Sequence, residues 1–189
     1  MPKTELFDKK IAIEKAMNLF WSQGYRGTSI TDLTNLIGIG KGSFYNTFKS
    51  KRALFEQCIN VYRTNSINGI NEILRNEKEV SKGLQKFLNL NLEYAINDPE
   101  HKGCFLTNTC TELCSTDDAI TKSMNEHYEL MKVIIIDYLS NESDLSVDKN
   151  ERIANVIITF FIGMTVKVKL QKNRNQITES IKLLTQSLF

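Results

Sequence analysis

Chain breakers are scarce: in 189 residues there are two prolines, Pro2 and Pro99, and nine glycines. So few interruptions exclude a turn-rich β architecture and favour long helices. No alternation of apolar and polar residues runs far enough to make a useful strand, and neither an internal repeat nor a low-complexity tract is found. Long apolar runs are missing as well. The longest, Val156 to Val166, falls well short of the about 20 residues a membrane-spanning helix needs. Met1-Pro2-Lys3-Thr4-Glu5 lacks the charged-then-apolar pattern of a signal peptide. These absences predict a soluble, cytoplasmic chain with no membrane partner, in which Cys58, Cys104, Cys110 and Cys114 rest as thiols. The expected fold class is all-α. Hydrophobic residues make up 41% of the chain, which is enough for a core and argues against disorder.

Charge is unevenly placed. Residues 1–55 hold nine cations and four anions, a net of +5; the whole chain is +2, so residues 56–189 are −3. A basic head on an acidic body points the head toward a polyanion.

Helical periodicity divides the chain into about nine helices. The first is expected from Thr4 to Ser22 on Ile11, Ala12, Ala16, Leu19 and Phe20, with Gly24 as a left-handed stop. Thr28 is read as the N-cap of a short second helix, which Gly38-Ile39-Gly40 breaks. A third short helix, Lys41 to Asn46, leads into Phe44, Tyr45 and Phe48, and Ser50 caps a long fourth. Further helices are expected over Ser81–Ile96, Gly103–Ser115, Asp117–Leu139 and Thr178–Leu188. Another is expected from the box-like Asp148-x-x-Glu151 to Lys172.

Two short helices joined by a glycine-containing turn have the form of a helix-turn-helix. One helix crosses the DNA backbone while the start of the next enters the major groove, where small or polar side chains fit against base edges. Lys41, Gly42, Ser43 and Asn46 suit that surface. Thr28, Tyr45, Thr47, Lys49 and Lys51 suit phosphate contacts, which fix register without reading sequence.

Two stretches carry a resemblance: Gly24-Tyr25-x-Gly27-Thr28-Ser29-Ile30, and Ile37-Gly38-Ile39-Gly40-Lys41-Gly42-Ser43-Phe44-Tyr45-x-x-Phe48-x-Ser50-Lys51-x-x-Leu54-Phe55. Together they resemble the DNA-binding domain of the TetR family of regulators. The chain departs from the pattern at Gly40, where serine or threonine is frequent, at Ile37, where alanine is usual, and at Thr47, where histidine is common. The resemblance implies a helix-turn-helix domain over residues 1–50 and a ligand-sensing and dimerisation domain over 51–189. Its partners would be double-stranded operator DNA, a second copy of the chain and an inducer, with repression as the usual sign and no cofactor.

For the body, the resemblance implies a homodimer built by the last two long helices, a reading that places Ile157, Phe161, Ile177, Ile181 and Leu184 in the interface. The run Val156–Met164 is apolar nearly all round and has to be covered on more than one side, with Gly163 permitting close approach. A central core helix within one chain is the alternative. Candidate cavity residues are Phe87, Leu88, Leu92, Tyr94, Phe105, Tyr128, Met131, Phe160 and Met164. The stretch His101-Lys102-Gly103-Cys104-Phe105-Leu106-Thr107-Asn108 resembles the Gly-Cys segment of a subfamily, some of whose members sense electrophiles or oxidants through that cysteine. Lys169 matches the place of the lysine that faces it. A helix start at Cys104 with His101 and Lys102 beside it favours a thiolate, whereas a buried cysteine acts as a small hydrophobe.

Other classes find less support. His101, Cys104, Cys110 and Cys114 offer metal-ligating atoms, but Cys104 lies about 100° from the face shared by Cys110 and Cys114, so no metal is assigned. His101 and His127 sit in no recognised catalytic motif, which argues against an enzyme. An adaptor acting only through protein contacts would have no use for the Lys41–Lys51 surface.

Overall fold

A computed structural model of the chain describes residues 7–170 and 174–189. Nine helices and no strand occur among the described residues: α1 (Lys9–Gly27), α2 (Ile30–Ile37), α3 (Lys41–Phe48), α4 (Lys51–Arg75), α5 (Val80–Asn97), α6 (Phe105–Leu113), α7 (Asp118–Glu142), α8 (Val147–Leu170) and α9 (Arg174–Ser187). The all-α expectation holds. Two compact units divide the chain, one up to Arg63 and one from Thr64 to Phe189. The expected helix start at Thr4 and end at Lys172 lie outside the described residues.

In the first unit, Asp8 opens α1 by accepting from the backbone of Lys10 (2.8 Å) and Ile11 (3.3 Å). The helix is interrupted at Gly24, whose φ of 79° and ψ of 165° lie in a region essentially closed to side-chain-bearing residues. Gly24 is thus a stop, but an extended one and not the left-handed cap expected. Thr28 is not the cap of α2. Its hydroxyl donates to Gly24 O at 2.7 Å and its side chain is buried. Ser29 takes the role through a capping box: Asp32 N donates to Ser29 Oγ (3.1 Å) and Ser29 N to Asp32 Oδ2 (2.9 Å). Gly38 ends α2 in the left-handed conformation, φ 82° and ψ 36°. Ser50 caps α4 as expected, its Oγ accepting from Ala53 N. Phe20, Leu33, Phe44, Phe48, Leu54 and Phe55 fill the core, with the Phe20 ring edge-on to Phe55 at 5.0 Å. Each buried ring contributes about 1.5–3 kcal/mol.

In the second unit α5, α7, α8 and α9 share one apolar core, in which Leu84, Leu88, Met131, Ile135, Leu139, Ile157 and Ile181 are sealed from solvent. The Tyr138 hydroxyl bonds to Glu77 O (3.0 Å) and Glu79 O (3.2 Å), holding α7 to the start of α5. Gly83 makes room for that ring, because a Cβ there would collide with the Tyr138 hydroxyl. Ser146, not Asp148, caps α8: Lys149 N donates to Ser146 Oγ and Asn150 N to Ser146 O. Asp148 instead pairs with Arg152 across one turn. By length and composition α8 is apolar enough to cross a membrane, with mean hydropathy 1.7 in an 18-residue window. Its stripe Ile153, Ile157, Phe161, Met164 and Val168 is buried in protein.

Candidate nucleic-acid interface

Burial of Phe44 and Phe48, both fully enclosed, orients α3. Being four residues apart they lie on one face, which forces Lys41, Gly42, Ser43, Tyr45 and Asn46 outward. All five are exposed, and Thr47 is half-buried. Gly40 stands at the N-cap without a side-chain hydrogen bond, so the first turn of α3 keeps its N–H groups available beside Lys41. Gly42 carries no Cβ, and none placed there would meet a neighbour within 4 Å. The resulting surface presents the Lys41 charge beside Gly42, Ser43, Tyr45 and Asn46.

The other expected contacts divide. Lys49 is exposed at the C-cap of α3 with φ of 69°, and its ammonium donates to Asn46 O at 3.0 Å, near the negative end of that helix. Lys51 is turned inward: Nζ donates to Tyr25 O and Thr28 O, both at 2.9 Å, and sits 4.3 Å from the centre of the Tyr25 ring. It thereby fastens the start of α4 to the α1–α2 turn. In the chain without DNA, Thr28 is thus buried and Lys51 hydrogen-bonded to backbone carbonyls, and both brace the turn behind α3. Sequence reading passed over Arg26, Ser29, Thr31 and Asn35, which are exposed around α2. The Ser29-x-x-Asp32 spacing was the available signal. Ser29, through its side chain and then its backbone N–H, holds the Asp32 carboxyl below its usual pKa.

In the second unit the expected signal residues fall into two groups. Cys104 is the N-cap residue of α6 and is 6% exposed. Gly103, at φ 71°, has the Lys169 stem and Thr165 O so close that a Cβ would lie 2.7 Å from that oxygen. The Lys169 ammonium donates to Asn108 Oδ1 at 3.1 Å. Lys169 is therefore brought onto the Gly103–Asn108 segment. Lys102, expected to favour a Cys104 thiolate, spends its charge on Asp98 (3.0 Å) and Glu100 (3.3 Å). Desolvation opposes that cation, but those two hydrogen bonds outweigh it and raise its pKa. Tyr128 belongs with Cys104: its hydroxyl meets Thr107 Oγ1 at 3.2 Å, and Thr165 Oγ1 donates to Thr107 at 3.1 Å. Burial, then the neighbouring Cys104, push the Tyr128 phenol up. Phe105 is buried at the head of the same helix.

Phe160 and Met164 go elsewhere. With Gly163, Lys167, Ile177 and Ser180 they line a groove of about 300 Å³ between α8 and α9. Tyr94, a candidate cavity residue, is 79% exposed on α5. No group of three or more His, Cys, Asp or Glu side chains converges to hold a metal among the described residues.

The expected dimer set needs correction. Ile157, Phe161, Ile177 and Ile181 are buried within a single chain, Phe161 lying against Phe87 at 5.5 Å, and Leu184 is half-buried. A helix apolar on every side gives no sequence cue to which stripe faces out. Here Val156, Thr159, Gly163 and Val166 on α8 and Leu183 on α9 are exposed, with Phe160 half-exposed among them.

Residues 12–58 match the family model described as bacterial regulatory proteins, tetR family. The chain is 25% identical to the HTH-type transcriptional repressor ComR of Escherichia coli K12, over 72% of its own length and 66% of ComR, just under two thirds. It is 27% identical to an uncharacterised HTH-type regulator encoded in the lacX 3' region of Lactococcus lactis, over 89% of this chain and 87% of that one. Among solved structures, a cysteine-substituted variant of the TetR-family regulator CifR, complexed with 26-bp operator DNA, superposes with a TM-score of 0.88 at 21% identity. That superposition covers 98% of this chain and 99% of CifR.

Proposed function

We propose that the chain is a TetR-family transcriptional regulator that binds operator DNA as a homodimer, represses, and lets go when a thiol-reactive or small-molecule signal reaches its second unit, a reading supported by the family-model match over residues 12–58 and by the likeness to ComR. The observation that carries the DNA reading is the solvent face of α3, where Lys41, Gly42, Ser43, Tyr45 and Asn46 stand out over the buried Phe44 and Phe48. A major groove admits one helix, and this one leads with small and cationic side chains. Lys41, Ser43 and Asn46 face base edges, while Tyr45 and Lys49 hold phosphates. Repression follows the sign named for ComR.

A single short helix reads few base pairs, so affinity comes from two half-sites. The dimer face is the exposed α8 and α9 stripe, with Gly163 at its centre so that two helices can approach closely. The signal enters at Cys104, supported by its helix-start position and by the Lys169 side chain laid across Gly103. Its low exposure favours small, apolar electrophiles over bulky ones. This regulator acts in the cytoplasm, where its DNA is.

Random double-stranded fragments selected by the purified chain and then sequenced test the reading. Inverted half-sites about 10 bp apart centre to centre are expected. Failure to enrich any sequence over the starting pool overturns it. Cys104→Ser should keep DNA binding and lose release by the electrophile N-ethylmaleimide; release at an unchanged dose removes Cys104 as the input.

A further inference from the structure

On α6 a second thiol feature stands apart from Cys104. Cys110 and Cys114 are one helical turn apart, and the turn is closed by Cys114 N donating to Cys110 O at 3.1 Å. Their side chains share one face of the helix turn. Both are half-buried, whereas Cys58 and Cys104 are buried. The pair is therefore reachable and already assembled. Burial, then the neighbouring Cys114 thiol, push the Cys110 thiol up to about 11, so Cys110 is not primed as a lone nucleophile.

We propose that Cys110 and Cys114 form a dithiol site that chelates trivalent arsenicals. Soft sulfur ligands suit such a centre, and a helix turn fixes both before the arsenic arrives, so the second bond forms within the molecule. With an organoarsenous acid, RAs(OH)₂, two As–O bonds break and two As–S bonds form. Each thiol proton leaves with an arsenic-bound hydroxyl, giving two waters and no change in oxidation state. The site does not depend on DNA binding, and its test leaves DNA out.

The full chain is treated with one equivalent of phenylarsine oxide, then denatured and cleaved after glutamate. Cleavage at Glu100, Glu112 and Glu126 leaves Cys104 and Cys110 on peptide 101–112 and Cys114 on peptide 113–126. The expected product is the two peptides joined through one arsenic. Arsenic confined to 101–112 with 113–126 free assigns it to Cys104 and Cys110 and overturns the proposal, as does no retention at one equivalent. Loss of one thiol removes an intramolecular second bond. Cys110→Ser and Cys114→Ser should therefore each hold the reagent about a hundredfold more weakly against added dithiothreitol, with Cys58→Ser unchanged. Equal retention in all variants overturns the assignment, as does loss of the joined peptides in Cys104→Ser, which would put Cys104 rather than Cys110 in the bridge to Cys114.

Discussion

Lys51→Met separates two roles for one cation. Its ammonium makes two hydrogen bonds of 2.9 Å to Tyr25 O and Thr28 O and lies over the Tyr25 ring. Hydrogen bonds involving a charged group contribute about 1.5–3 kcal/mol each, and a cation over a ring about 0.5–1 kcal/mol at an exposed site. Lys51 is half-buried, so water takes over part of what is lost, and a net destabilisation of about 2 kcal/mol is expected. The assay is built in. The chain's single tryptophan, Trp21, lies in the same unit, edge-on to Tyr62 at 5.3 Å, so its fluorescence follows that unit through urea unfolding of the full chain. DNA binding should weaken only as far as the folded fraction falls, and the dependence of affinity on salt should keep its slope. A phosphate contact behaves oppositely: each one lost reduces the slope by about 0.9 per protomer. An unchanged urea midpoint together with a reduced slope would refute the scaffold role and return Lys51 to the DNA backbone.

Phe160→Asp should yield soluble, folded monomers by sedimentation, while Ile181→Asp should fail to fold, since Ile181 is buried within one chain; folded monomers from both would move the interface inward. Gly103→Ala puts a Cβ 2.7 Å from Thr165 O at a positive φ and should cost about 2 kcal/mol in thermal unfolding; an unchanged midpoint denies that close approach. Burial pushes the Cys58 thiol from 9.0 up to about 12. Between those values only the unfolded state ionises there, so this contribution to stability is intact below pH 9 and declines toward pH 12, by up to about 1.4 kcal/mol per pH unit. Urea midpoints read at Trp21 should accordingly fall less steeply above pH 9 in Cys58→Ala than in wild type, and identical slopes would count against the burial.

Much of the first unit was legible because its determinants are local. Breaker glycines, capping residues and the Phe44–Phe48 spacing act over a few residues, so helix order and the outward set on α3 follow from the residues themselves. Local chemistry was also ambiguous in one place: Thr28 and Ser29 both have a hydroxyl suited to capping, and only the Asp32 carboxylate folding back to Ser29 N, with Thr28 taken up by Gly24 O, decides between them.

What the tertiary structure alone decided lies between elements distant in sequence. Lys51 reaches carbonyls 23 and 26 residues away, and no pattern within α4 reveals that its charge is used there. The apolarity of α8 announced burial on more than one side, yet which stripe meets α5 and α7 depends on how those helices pack. Ile157 and Phe161 therefore went into one chain's core, and Val156 and Gly163 were left outside. The same holds for Lys169, which becomes a neighbour of Gly103 only because α6 and α8 pack together. A sequence specifies periodicity and caps residue by residue, whereas the direction in which a helix faces is a property of all the helices around it.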